Sequence, residues 1–211
     1  MPARVFLLSP ASSSGKRCQL LLREGASSEL ARRIHGDGAP LGEVFSFLSS
    51  LYFRGKLTYA SRFAVPPEGC PGVLVITADR GLVPPETPIG ARDLHAFGRV
   101  PIDAGERRYA APLRRDAAAL RARLPGDAQV VLLGSIATAK YADVLLATFG
   151  TALRFPGDFV GRGDMSRGGL LLRAAHAGVE LDYTEVAGAV RRGSRPARLP
   201  RAGRAPAGPV R

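Results

Sequence analysis

The chain has 211 residues, enough for one domain with a substantial core. Apolar residues make up 45% and charged residues 23%, a globular balance, and no apolar run approaches the ~20 residues that cross a bilayer. The formal charge is +12; with only two cysteines and three scattered histidines, a disulfide framework and a histidine-built zinc site are not expected.

Val5 to Ser9 reads as a buried first strand closed by Pro10, with the loop ASSSGKR after it. Its apolar part, Val5 to Leu8, is too short for a signal-peptide core, so a cytoplasmic location is expected. Cys18 to Arg23 fits either a short helix or a second strand. Ala26 to Ile34 predicts a helix capped by Ser27 or Ser28, followed by a turn through His35 to Pro40. From Leu41 to Ala64, residues Val44, Phe45, Leu48, Leu51, Tyr52 and Leu57 keep helical spacing with a weak point at Gly55. Two helical pieces are expected there, with Tyr52, Arg54 and Lys56 near the junction.

Pro66 to Gly72 reads as a loop and Val73 to Thr77 as a buried parallel strand. Ala78-Asp79-Arg80-Gly81 follows at the strand's carboxyl end, before a proline-rich loop. Ala111 to Leu124 predicts an amphipathic helix with Leu113, Ala117, Leu120 and Leu124 inward. Val130 to Leu133 is another buried strand, followed by Gly134-Ser135 and a helix from about Ile136 to Phe149. Ala152 to Phe155 fits a short strand, Phe159 to Arg167 a loop and Gly168 to Ala177 a helix. Strands alternating with helices predict an α/β domain over residues 1–188, with a mostly parallel sheet covered by helices on both faces.

Seven arginines and no acid lie from Arg191 onward, leaving residues 1–190 at +5. Residues 189–211, rich in Arg, Pro and Gly, bury too little to offset ordering entropy and are expected to be a disordered tail. Such a tail attracts phosphate backbones or an acidic protein partner, or is simply a solvated terminus. Only three of the 30 basic residues are lysine: Lys16, Lys56 and Lys140. Where composition favours arginine so strongly, a retained lysine marks a place that needs a compact ammonium rather than a planar fork.

Ligands of open α/β sheets bind outside the carboxyl ends of the strands. The Ser9 to Arg17 loop, with Ser14, Gly15, Lys16 and Arg17, is not a Walker motif, because Pro10 and Arg17 stand where glycine and Ser/Thr are required. Backbone N–H groups and cations in such a loop still suit phosphate, as Gly134 and Ser135 do after the later strand. The Gly161 to Gly169 loop offers Arg162, Ser166 and Arg167 for phosphate and Asp164 as base or orienter. Asp164 and Ser166 are equally good N-caps for the helix that follows. Tyr52, Arg54, Lys56 and Tyr59 interleave cations with aromatics, a pattern for stacked bases, although the same spacing fits two core tyrosines. Lys140, on the helix after Ser135, reads as an ordinary exposed lysine.

Val5 to Ala11, Leu51 to Ala60 and Val73 to Thr87 resemble the serial motifs of YaaA-like proteins. They are also similar to the glycosylase-like α/β domain of archaeal tRNA-guanine transglycosylases and archaeosine synthases, whose later motifs correspond here to Thr77–Pro84 and Asp93–Asp103. The resemblance spans about residues 5–150, and Asp79-Arg80 departs from it. It implies an α/β fold near nucleic-acid metabolism with a pocket for a base or nucleotide. The expected function is therefore nucleic-acid or nucleotide binding at the strand ends, with Tyr52 stacking on the base and no cofactor or metal. The alternatives are N-glycosidic cleavage or transfer, with Asp164 or Asp79 positioning water or stabilising positive charge, and a protein-interaction module using residues 191–211.

Overall fold

A computed structural model describes residues 2–194, 196 and 197. β1 (Arg4–Leu8) has all five residues buried, so both its faces are covered. After the serine-rich loop comes α1 (Lys16–Leu22), which decides the helix-or-strand alternative: Cys18 and Leu21, three apart, turn inward together. α2 (Glu29–His35) is capped by Ser28, whose Oγ accepts the Ala31 N–H at 3.3 Å. β2 (Ala39–Pro40) leads into α3 (Leu41–Ser49) and α4 (Leu51–Phe63). The break between these helices falls at Ser50, a left-handed residue with φ of 52°, and not at Gly55. α4 runs through Gly55 because that glycine makes a helix crossing: a Cβ there would stand 2.7 Å from the Gly168 carbonyl oxygen.

β3 (Val73–Ile76) is followed by β4 (Leu82–Val83), folded back antiparallel on it, and by β5 (Pro88–Ile89), paired antiparallel with β2. α5 (Ala91–Arg99) was not expected; it starts where Asp93 Oδ2 accepts the Gly90 N–H at 2.7 Å, and buries Leu94 and Phe97. α6 (Arg107–Arg123) begins earlier than predicted, and Leu113, Ala117, Leu120 and Leu124 are buried as their spacing requires. Then come β6 (Gln129–Leu133), α7 (Ala139–Phe149), β7 (Leu153–Pro156), α8 (Asp164–Ala177) and β8 (Tyr183–Glu185). Asp164 to Arg167, expected in a loop, form the first turn of α8, and its N-cap is Gly163 rather than Asp164 or Ser166.

The protein is thus mixed α/β, with a mostly parallel six-stranded sheet in the order β4-β3-β1-β6-β7-β8. The four inner strands are parallel and the two edges antiparallel. Phe6 pairs with Val73 on one side and Val131 on the other. The chain leaves β1 toward β3 and later fills the opposite side with β6 and β7, so the strand order reverses beside β1. That reversal opens a crevice at the carboxyl ends of β1 and β6. No helix of the described residues is long and apolar enough to cross a membrane. Of the expected tail, residue 195 and residues 198–211 lie outside the described residues; before them Arg191 Nη2 stands 2.6 Å from Asp143 Oδ1.

Candidate functional site

Two cavities meet at the crevice, sharing Pro10, Ala11, Ser12 and Tyr141 in their walls. The larger, about 420 Å³, is walled by Phe45, Phe97, Val100 and Ile102, with Ser12, Ser13, Ser14 and Lys140 at its polar side. The smaller, about 360 Å³, is lined by Ser9, Ser12, Tyr52, Ser135, Tyr141 and Asp164. Both fall within the ~300–1,000 Å³ range of small-molecule sites. The strand-end segments chosen from sequence converge here: Ser9 N–H bonds Leu133 O at 3.1 Å, and Ala78 reaches the larger cavity from the end of β3. Gly134 is required by close approach, since a Cβ there would meet Ser9 Cβ at 2.9 Å and Tyr141 Cε2 at 3.0 Å.

Ser9 is held from behind by Lys56. The lysine is fully buried, and its Nζ donates to the Ser9 carbonyl oxygen at 2.5 Å and stands 2.9 Å from Ser9 Oγ. The rings of Tyr52 and Phe53 flank Nζ at 4.5 and 4.8 Å. Burial lowers the ammonium to about 7, with the negative charge of Asp164 opposing that shift and the positive charge of Arg167 adding to it. Tyr141 accepts the Ser135 N–H at 3.2 Å, and its hydroxyl lies beside the Ser9 side chain; burial raises the phenol overall while these contacts lower it. The Tyr52 hydroxyl is buried without a hydrogen-bond partner, and desolvation pushes it above the ordinary tyrosine value.

The crossing of α4 and α8 sets the rest of the site. Glycines on both helices let the backbones touch: a Cβ on Gly168 would lie 2.7 Å from Leu51 O and 2.8 Å from Tyr52 Cα. Tyr52 and Lys56, one turn apart on α4, are thereby placed against the first turn of α8, which carries Asp164. Arg167 is buried, gives Nε and Nη2 to Phe159 O at 3.2 and 3.0 Å, and holds Asp164 Oδ1 at 3.4 Å through Nη1. It is a brace for Asp164 rather than a free anion fork.

Several residues chosen from sequence stand elsewhere. Gly15, Lys16 and Arg17 are exposed at the start of α1 and line neither cavity; Arg17 Nη1 donates to Phe47 O at 2.9 Å. Arg54 is exposed on the outer side of α4. Arg162 turns to Asp158 O at 2.9 Å and to Ser166 Oγ at 3.4 Å, so both residues close their own loop. Asp79 lines neither cavity: its Oδ1 is buried without a hydrogen bond, 3.8 Å from Arg80 Nε, and desolvation raises its pKa. The two acids named for catalysis therefore do not share a cavity.

The sequence reasoning passed over Tyr141 and Phe97 and set Lys140 aside as an ordinary exposed lysine, whereas it borders the larger cavity. A polar aromatic two residues into the helix after a strand-end Gly-Ser could have marked Tyr141, whereas Phe97 lies on the unanticipated α5. Among the described residues no group of three or more His, Cys, Asp or Glu could hold a metal ion. No family model, curated protein or solved structure matches the chain.

Proposed function

We propose that the protein binds a nucleoside or nucleotide in the crevice beyond β1 and β6. The observation that carries this reading is the pairing of an aromatic-walled cavity with a hydroxyl-lined one across Tyr141. A base lies against the wall that Phe45 and Phe97 form by packing edge to face at 6.1 Å, the sugar meets Ser9, Ser135 and the orphan Tyr52 hydroxyl, and a phosphate meets Ser12 to Ser14 and Lys140. The three stretches that resemble YaaA-like proteins come together at this point, as β1 with its loop, α4 and β3, which supports the same reading. The charge of the arginines from Arg191 onward would add attraction for the phosphate backbone of a ligand carried on a nucleic-acid strand.

Calorimetry with the ribonucleosides and their monophosphates tests it. Binding should weaken several-fold in Phe97→Ala for every ligand, and in Lys140→Ala for the monophosphates only. No heat from any of them at ~1 mM would reject the reading. A second reading, N-glycosidic cleavage, is favoured by one observation: the exposed Asp164 carboxylate lines the same cavity as Tyr52 and Ser9. It requires release of free base, abolished in Asp164→Asn, whose fold is kept by the amide.

A further inference from the structure

Lys56 is unused by ligand binding, because it lies behind Ser9 and does not reach either cavity. Both of its hydrogen bonds end on Ser9, and no carboxylate pairs with it among the described residues. A charge buried without a counter-ion is destabilising, whereas a desolvated amine set on a hydroxyl is an arrangement that activates serine. We propose that Ser9 is a nucleophile and Lys56 its general base, and that this pair cleaves or transfers the acyl group of an ester or amide borne by the ligand in the crevice.

The geometry meets the requirements in turn. Nζ lies 2.9 Å from Oγ, within the ~2.6–3.2 Å reach of a base on its nucleophile. A neutral amine satisfies both contacts at once, donating to the Ser9 carbonyl and accepting the Oγ proton through its lone pair. Tyr52 and Phe53 wall the amine from water. Ser9 directly follows β1 and opens on the cavity of about 360 Å³. Tyr141 takes the Ser135 N–H on its oxygen and holds its hydroxyl beside the Ser9 side chain, where its proton can turn to an oxyanion formed by attack of Oγ.

Oγ attacks the carbonyl carbon as its proton passes to Nζ. The bond from that carbon to the leaving oxygen or nitrogen then breaks, and the leaving group takes the proton from Lys56. Water attacks the acyl-serine in the same way, releasing the carboxylic acid and restoring Ser9. The chemistry rests on the binding reading only for the non-reacting half of its substrate.

The test is labelling of the full chain with a fluorophosphonate, which forms an Oγ–P bond, breaks P–F and releases fluoride and the proton. Peptide mass mapping should place the label on Ser9 and find none in Ser9→Ala. Lys56→Met keeps the length of the side chain without its base, and should slow labelling about 100-fold while retaining a cooperative melt. The wild-type rate should rise through pH 7 and level off, with burial, the charges of Asp164 and Arg167 and the ring of Tyr52 setting the midpoint of the amine. That rise should be absent in Lys56→Met. A wild-type protein unlabelled at Ser9, or a folded Lys56→Met labelled at the wild-type rate, would overturn the proposal. A nucleotide that binds should also protect Ser9. Label without protection rejects the nucleotide and keeps the nucleophile; nucleotide binding without label rejects the nucleophile alone.

Discussion

Burial lowers Lys56 from its ordinary value of 10.5 to about 7, so the folded protein gives up this proton before the unfolded chain does. Between those two values the unfolded state holds more protons, and stability must rise with pH. Below about pH 7 both states carry the charge and the cost of burying it is felt in full. The linkage relation with these values gives a gain of about 2–3 kcal/mol between pH 6 and pH 9. For a chain of this length that is a rise of roughly 5–10 °C in melting temperature. Urea unfolding of wild type and Lys56→Met across this pH range isolates the effect, because histidines and carboxylates titrate in both proteins and cancel. The unpartnered Ser9 carbonyl left in the variant adds a penalty that does not change with pH. A wild-type-minus-variant difference constant to within about 0.5 kcal/mol from pH 6 to 9 would refute the reasoning, and with it the supply of neutral amine near pH 7.

Gly168→Ala gains helix propensity of ~1 kcal/mol but drives a methyl into the backbone of Leu51 and Tyr52, which cannot rotate away. A net loss of about 1–3 kcal/mol is expected in the denaturation midpoint, together with weaker nucleoside binding as Tyr52 shifts; an unchanged midpoint would mean that the crossing is loose. Arg167→Lys keeps the charge but cannot span Phe159 O and Asp164 together, and should cost about 1–3 kcal/mol by the same assay, whereas an equal midpoint would reduce the guanidinium to a surface charge.

The sheet was legible where the sequence is loudest. Val5–Leu8, Val73–Ile76 and Val130–Leu133 are continuous apolar runs, as strands buried on both faces must be. β8 escaped notice because Tyr183, Thr184 and Glu185 form an edge strand with no such run, and α5 because only Leu94 and Phe97 turn inward. Gly55 looked like a helix break, since glycine lowers helix propensity, yet its cost is offset by a backbone contact that only the partner helix reveals. The true break, at Ser50, carries no sequence mark, because a left-handed serine is uncommon. Of the two roles open to Asp164, base or cap, the cap fails on position: helix starts are uncertain by a residue or more, and Gly163 takes that place.

The three lysines occupy three different environments. In a chain that uses arginine almost everywhere, Lys16 is solvent-exposed, Lys140 stands on the rim of the larger cavity and Lys56 is in the core. At the first position arginine would serve as well. At position 56 it would not, because a guanidinium carries five donors and the site offers two acceptors, both on Ser9, between two aromatic rings. Arginine also stays protonated in a folded protein, whereas a desolvated lysine becomes a neutral base near pH 7. Under the nucleophile proposal, what sets position 56 apart from the surface lysine is the loss of a proton, and Ser9 Oγ, 2.9 Å from Nζ, is the side-chain atom placed to supply one in return.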